Sequence, residues 1–100
     1  MVAITIAYKN GVPMNTDYYY GFHMPFVESS LTQYGLRATE VRKIVGTTTG
    51  DPAPYQAITT LYFDNMPAFS DAMASNNGRA VLADIRKFYD GMPEMMIGEV

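Results

Sequence analysis

The sequence predicts an α+β fold of the ferredoxin-like kind, βαββαβ, with an antiparallel sheet and helices on one face. Three observations predict it. Four short stretches, at residues 2–8, 36–46, 55–63 and 92–100, are rich in strand-forming side chains. Helical patterns separate the first from the second and the third from the fourth. The connector between the second and third strands, residues 46–54, is full of turn residues and suits a hairpin-like link, so the helix-bearing crossovers fall elsewhere.

Residues 2–8 alternate, with Val2, Ile4, Ile6 and Tyr8 on one face and Ala3, Thr5 and Ala7 on the other. That is a strand with a packed side. Gly11 and Pro13 mark a loop. Asn15, Thr16 and Asp17 can each start a helix, because their side chains accept bonds from free N–H groups in its first turn. The helical pattern continues towards Tyr34 and stops at Gly35. Residues 36–46 read as a strand carrying charges on both faces, Arg37 and Lys43 on one and Glu40 and Arg42 on the other, as suits a place near an edge or an interface. The third strand, residues 55–63, has apolar or aromatic side chains on both faces. Asp64 or Asn65 caps the next helix, with Pro67 in its first turn and Phe69 and Met73 on its buried stripe. Residues 75–78 interrupt this helix. Residues 79–87 form another, burying Val81, Leu82 and Ile85, and residues 92–100 close the sheet.

With both helical regions on one sheet face, the opposite face is left bare. Apolar side chains there imply a partner. The simplest is a second copy packed sheet against sheet across a two-fold axis, a dimeric α+β barrel.

The stretch richest in chemistry is residues 17–27, which holds the only histidine, three consecutive tyrosines and a proline inside a helical pattern. At about 100° per residue, Tyr19, His23, Phe26 and Ser30 share an arc of roughly 60°, facing the sheet. Pro25 lacks an N–H and is expected to push Met24 off helical angles, kinking or restarting the helix between Gly21 and Pro25. A kink beside a buried histidine leaves room for a ligand. The plain alternative is a core histidine bonded to a backbone carbonyl, with Pro25 a simple bend. Tyr19 and Ser30 on the same face make a polar patch in an apolar wall and favour a site. His23 and Tyr19 are therefore the candidate catalytic residues. Phe26, Ser30, Tyr34 and Tyr62 are candidate substrate-binding residues. Asp90 and Tyr62 are the candidate partners of the imidazole, and no carboxylate is securely placed beside it.

Composition sets outer limits. One hundred residues make a single domain. A hydrophobic fraction of 48% with scattered charges describes a folded chain. A formal net charge of -3 opposes a nucleic-acid partner, which calls for a basic face. Without cysteine there is no disulfide, no thiolate nucleophile and no Cys-type zinc site. One histidine among dispersed carboxylates has no metal-ligand spacing, so no metal is expected. No dinucleotide or flavin signature is present, and no cofactor is expected. The first strand begins at once, with no leader-like or membrane-spanning stretch ahead of it, and the expected location is the cytoplasm.

Several segments resemble the EthD family of dimeric α+β barrel proteins, named for a protein encoded with ethyl tert-butyl ether degradation genes. They are Asp17-Tyr-Tyr with His23-Met-Pro-Phe-Val; Pro54-Tyr with Ala57-Ile-Thr-Thr-Leu-Tyr-Phe-Asp64; Ala68-Phe with Ala72-Met-Ala-Ser75; Gly78-Arg-Ala-Val-Leu-Ala-Asp84; and Ile97-Gly-Glu-Val100. The resemblance implies the ferredoxin-like fold and a homodimer. It leaves the chemistry open, since related barrels include cofactor-free isomerases, cyclases and monooxygenases with pockets between helices and sheet.

Three functions are therefore weighed. The first is a cofactor-free enzyme, of isomerase, lyase or oxidoreductase-associated type. In it His23 moves a proton on a small hydrophobic metabolite in a degradation pathway, with Tyr19 or Ser30 orienting ring or ligand. The second is a non-catalytic binding or accessory protein for a separate oxygenase, using the same pocket. The third, with least support, is haem handling through His23.

Overall fold

The structure, a computed structural model, describes residues 1–100. It has one four-stranded antiparallel sheet in the order β2-β3-β1-β4, with β1 Val2–Lys9, β2 Leu36–Lys43, β3 Tyr55–Phe63 and β4 Glu94–Glu99. β1 and β3 are central, and β2 and β4 are the edges. This is the predicted ferredoxin-like α+β arrangement, each pair of crossover-linked strands being separated by one antiparallel strand.

The first crossover starts at Asn15, whose side chain accepts the N–H of Tyr18 at 3.1 Å. It runs through α1 (Thr16–Tyr18), a π-helical turn (Tyr19–His23) and α2 (Met24–Leu31), then a 3-10 turn (Thr32–Tyr34), and ends at Gly35 with φ 93°. The helix does change at the expected place, with the π-helical turn ending at His23 and α2 beginning at Met24, but Met24 is not pushed off helical angles. Met24 keeps helical angles, φ -65° and ψ -44°, and its N–H bonds Tyr19 five residues back. A turn widened by one residue gives the Pro25 ring room within a continuous helix.

The second crossover is two helices. Asn65 caps α3 (Met66–Ala74) by accepting the N–H of Ala68 at 2.9 Å. Ser75 then turns extended and caps α4 (Asn76–Asp84) by accepting the N–H of Gly78 at 3.0 Å. The break is thus confined to Ser75, and Gly78, expected to interrupt, lies inside α4. A Cβ at Gly78 would stand 2.0 Å from the carbonyl oxygen of Ala72 and 2.9 Å from the Cα of Met73, so glycine is what lets α4 close on the end of α3. A 3-10 turn (Ile85–Lys87) leads towards β4.

Both crossovers pack on one sheet face. Tyr19, Val27 and Leu31 from the first and Ala72, Val81 and Ile85 from the second meet Ile4, Leu61 and Phe63 of the sheet in a single core. Burying a side chain the size of Leu31 contributes about 1.5–3 kcal/mol. In β2, Leu36 pairs with Phe63 and Ala38 with Tyr62, so Arg37 sits in a bulge rather than on one face with Lys43. Its guanidinium clasps Asp64 with two hydrogen bonds of 2.5 and 2.7 Å. On the opposite sheet face Ile58 and Tyr62 are half-buried, and Met96 is exposed on β4. No helix is long and apolar enough to cross a membrane.

Candidate functional site

His23 closes the π-helical turn and is 3% exposed. Its ring lies against Phe88, centroids 4.4 Å apart, and stacks on Tyr19 at 5.9 Å and 21°. Its Nδ1 bonds Oδ2 of Asp84 at 2.9 Å. Asp84 is the last residue of α4 and is itself 5% exposed. Its other oxygen, Oδ1, accepts the Tyr18 hydroxyl at 2.7 Å and has the Lys87 ammonium at 3.7 Å. The first crossover therefore supplies the imidazole and the second supplies its carboxylate.

The electrostatics settle the roles of the two ring nitrogens. Burial works to raise the Asp84 carboxyl, but hydrogen bonds from His23 and Tyr18 outweigh it and hold the group below the ordinary carboxylate range. Burial lowers His23 beneath its usual 6.5, partly offset by Asp84. An ionised carboxylate only accepts, so a neutral His23 carries its proton on Nδ1 and leaves a lone pair on Nε2. Tyr18 is pushed up to about 12, by burial first and then by Asp84, and remains a donor.

Nε2 has no partner in the protein, and no side-chain nitrogen or oxygen is both sealed and unpartnered, so it looks onto open space. His23 borders a cavity of about 40 Å³ between helices and sheet. Its walls are Ile4, Ile6, Tyr8, Thr59, Leu61 and Met95 from the strands, and Met24, Val27, Leu31, Phe69, Met73, Val81, Leu82 and Ile85 from the crossovers. It has room for a few water molecules. A larger guest needs the flexible Met24, Met73 and Met95 to give way. On the other side of Asp84 a surface groove runs between Phe22, Phe26, Ala80, Ala83 and Lys87.

The residues expected at the site are dispersed by this geometry. Tyr19 is fully buried beside His23, with its hydroxyl bonded to Thr59 and burial pushing it up to about 12. Phe26 stacks on Phe22 at 5.9 Å in the outer groove, not in the cavity. Ser30 is buried outside the cavity wall, and its carbonyl accepts Asn77. The reason is the π-helical turn: one extra residue rotates all that follow by about 100°, turning Met24, Val27 and Leu31 to the cavity in their place. Tyr34 follows α2 and does not line the cavity. Tyr62 alternates to the sheet face away from the helices, between Ala3 and Ala38. Asp90 is exposed in a turn, its N–H bonded to Pro13, and the imidazole's partner is Asp84 instead. Asp84 carried a signal that passed unused: it lies three residues after Val81 and beside Ile85, a carboxylate on the buried stripe of a helix. No group of three or more metal-ligating side chains is present.

Solved structures with this architecture include an EthD-like protein from Ralstonia eutropha JMP134. It is 27% identical, with a TM-score of 0.84 over 98% of this chain and 89% of its own. An ethyl tert-butyl ether (EthD) family protein from Bacillus halodurans is also 27% identical, with a TM-score of 0.84 over 100% and 98% of the two chains. SnoaB, a cofactor-independent oxygenase from Streptomyces nogalater, shares the fold at 9% identity, with a TM-score of 0.75 over 99% and 91%. No curated protein matches. The EthD domain profile covers residues 15–92, which include both crossovers and the His23–Asp84 pair, and the chain belongs to the EthD family.

Proposed function

We propose that the protein takes a small hydrophobic organic molecule into the cavity and that His23 moves a proton on it without a cofactor. One observation carries the reading: Asp84 bonds Nδ1 of His23, and His23 borders an apolar space between helices and sheet, which leaves Nε2 as the nitrogen available to a guest. A base so placed works in a dry setting, and its ring orientation is set by a buried carboxylate. SnoaB, with the same fold, is a cofactor-independent oxygenase, which agrees with such chemistry without a bound cofactor. Asp84 and Tyr18 are positioning groups in this scheme, since neither borders the cavity. A haem macrocycle is far too large for about 40 Å³, which counts against the haem reading.

The experiment is hydrogen–deuterium exchange, followed by NMR, on small neutral carbonyl compounds shown to bind by thermal shift. Unaltered protein should speed exchange at the acidic C–H. His23→Gln should lose roughly 10²–10⁴-fold of that rate while binding within about tenfold. Ligands that bind yet exchange no faster than in buffer would replace catalysis by the accessory role.

The active form in this proposal is a homodimer. A second copy would cover Ile58, Tyr62 and the exposed Met96 on the bare sheet face. Sedimentation should give twice the 11.1 kDa chain mass, and a monomer at micromolar concentration would refute it.

A further inference from the structure

Most of the cavity wall is buried, and the cavity opens at one side. Met95 on β4 is the lining residue that solvent reaches most freely, at 41% exposed. Ile6, Phe69, Met73 and Leu82 are half-buried, and the remaining lining residues are buried. The mouth therefore lies at the β4 edge, with α3 and α4 on one side and Met95 on the other.

Beyond the mouth the apolar floor continues. Ile6 pairs with Met95 and Ile4 with Ile97 across β1 and β4, so these four side chains stand on the helix-bearing face of the sheet. Ile4 and Ile6 line the cavity, but Ile97 is 54% exposed. From Met95 to Glu99 every residue of β4 is exposed, which makes the strand an uncovered ledge. The ledge ends at Glu99, which pairs with Val2 and brings a carboxylate to the same face.

A second copy of the chain is a poor occupant for this ledge. In the dimer proposed above it covers Met96 and the opposite face, and two side chains fall far short of the roughly 800 Å² per partner that a specific interface buries. The guest of the cavity suits it better. About 40 Å³ admits only the tip of an organic molecule. What does not fit leaves by the mouth, and outside it meets Met95 and Ile97. No lysine or arginine lines the cavity, so a charged tip would lose its hydration and gain no counter-charge.

We infer that the guest is an unbranched aliphatic chain ending in a small uncharged group such as a ketone, with that end beside His23 and the chain running out over Met95 and Ile97. This rests on the proton-transfer reading of the same cavity and names the class of molecule it takes. A branched end is too wide for the space. Each methylene laid on the ledge leaves water, which favours longer chains by about two- to fourfold per carbon. Ile97 is then a specificity-determining residue that stands outside the cavity wall.

The test is calorimetric titration of the full chain at pH 7 with ethyl, butyl and hexyl methyl ketone, and with tert-butyl methyl ketone, the branched isomer of the butyl compound. Affinity should rise roughly four- to sixteenfold at each step of two methylenes, and the branched isomer should bind at least about tenfold more weakly than its straight counterpart. Ile97→Asn should shrink the ratio of hexyl to ethyl methyl ketone affinity by about three- to tenfold and sediment as the unaltered protein does. A change in its sedimentation would give the ledge to a second copy and overturn the inference. Should Ile97→Asn not fold, the ketone series on the unaltered protein decides the matter. Equal affinities along the series, or a branched isomer that binds as well as the straight one, overturn the inference and leave a site for a compact molecule standing. Failure of all four ketones to bind brings down this inference and the proposed function together.

Discussion

The two crossovers cover the same sheet face by opposite means. The first is slack: it widens at Tyr19–His23, and Gly21 within that turn has nothing within 4 Å of where a Cβ would be. The second is tight, with Gly78 pressed onto the backbone of Ala72 and Met73. The base sits on the slack element and its carboxylate on the tight one. The difference teaches how a buried pair from distant parts of a chain is aimed: one member is fixed by close packing, and the other is turned towards it by an irregular helix.

The largest expected effect comes from breaking the tight side. Gly78→Ala should cost about 3 kcal/mol, the upper part of the usual overpacking range, because the clash is with backbone that cannot swing away. Urea unfolding measures it. A cost below about 1 kcal/mol would show that α3 and α4 can separate freely.

Next is the link between the two crossovers. Asp84→Ala leaves the Nδ1–H of His23 and the hydroxyl of Tyr18 without their acceptor, and should cost about 1–3 kcal/mol. If exchange catalysis falls with it while ligand affinity holds, Asp84 acts by positioning His23. If stability alone changes, the pair is structural.

The pair also predicts a pH dependence. His23 is lowered in the fold, so below about 6.5 the unfolded chain binds a proton that the folded chain resists. The stability it contributes is complete above that pH and is lost as pH falls from there to the folded value. Asp84, also lowered, adds a separate loss below about 3.8. Denaturant unfolding between pH 7 and 5 should show the first loss, and His23→Gln should lack it. An unchanged profile in that variant would mean that another group titrates.

The smallest effect belongs to the slack side. Gly21→Ala, exposed and unobstructed in a helical backbone, should stabilise by roughly 0.4–1 kcal/mol. A loss of stability would mean the wide turn needs glycine, and the contrast between the crossovers would weaken.

Much of the fold was legible because its signals are local. Alternation in Val2 to Tyr8 marked the packed face on which the structure buries Val2, Ile4 and Tyr8, and Tyr55 to Phe63 forms the strand expected of it. Asn65, Pro67 and Gly35 marked helix limits that the structure keeps. The site was legible only at its centre. His23 points inward, but Phe26 and Ser30 were assigned to its face by a uniform 100° step that the π-helical turn breaks. Tyr62 was a candidate although alternation had already set it opposite Leu61 on β3.

By itself the sequence determined the kind and order of the elements, the burial of the single imidazole and the absence of thiol chemistry. These follow from residue type and from periods that act over a few residues. Only the tertiary structure decided that Asp84, 61 residues away, meets His23, and that Tyr8 borders the same cavity. The physical reason is that such meetings depend on helix rotation and strand register summed over the whole chain, where one extra residue in one turn changes which side chains face each other.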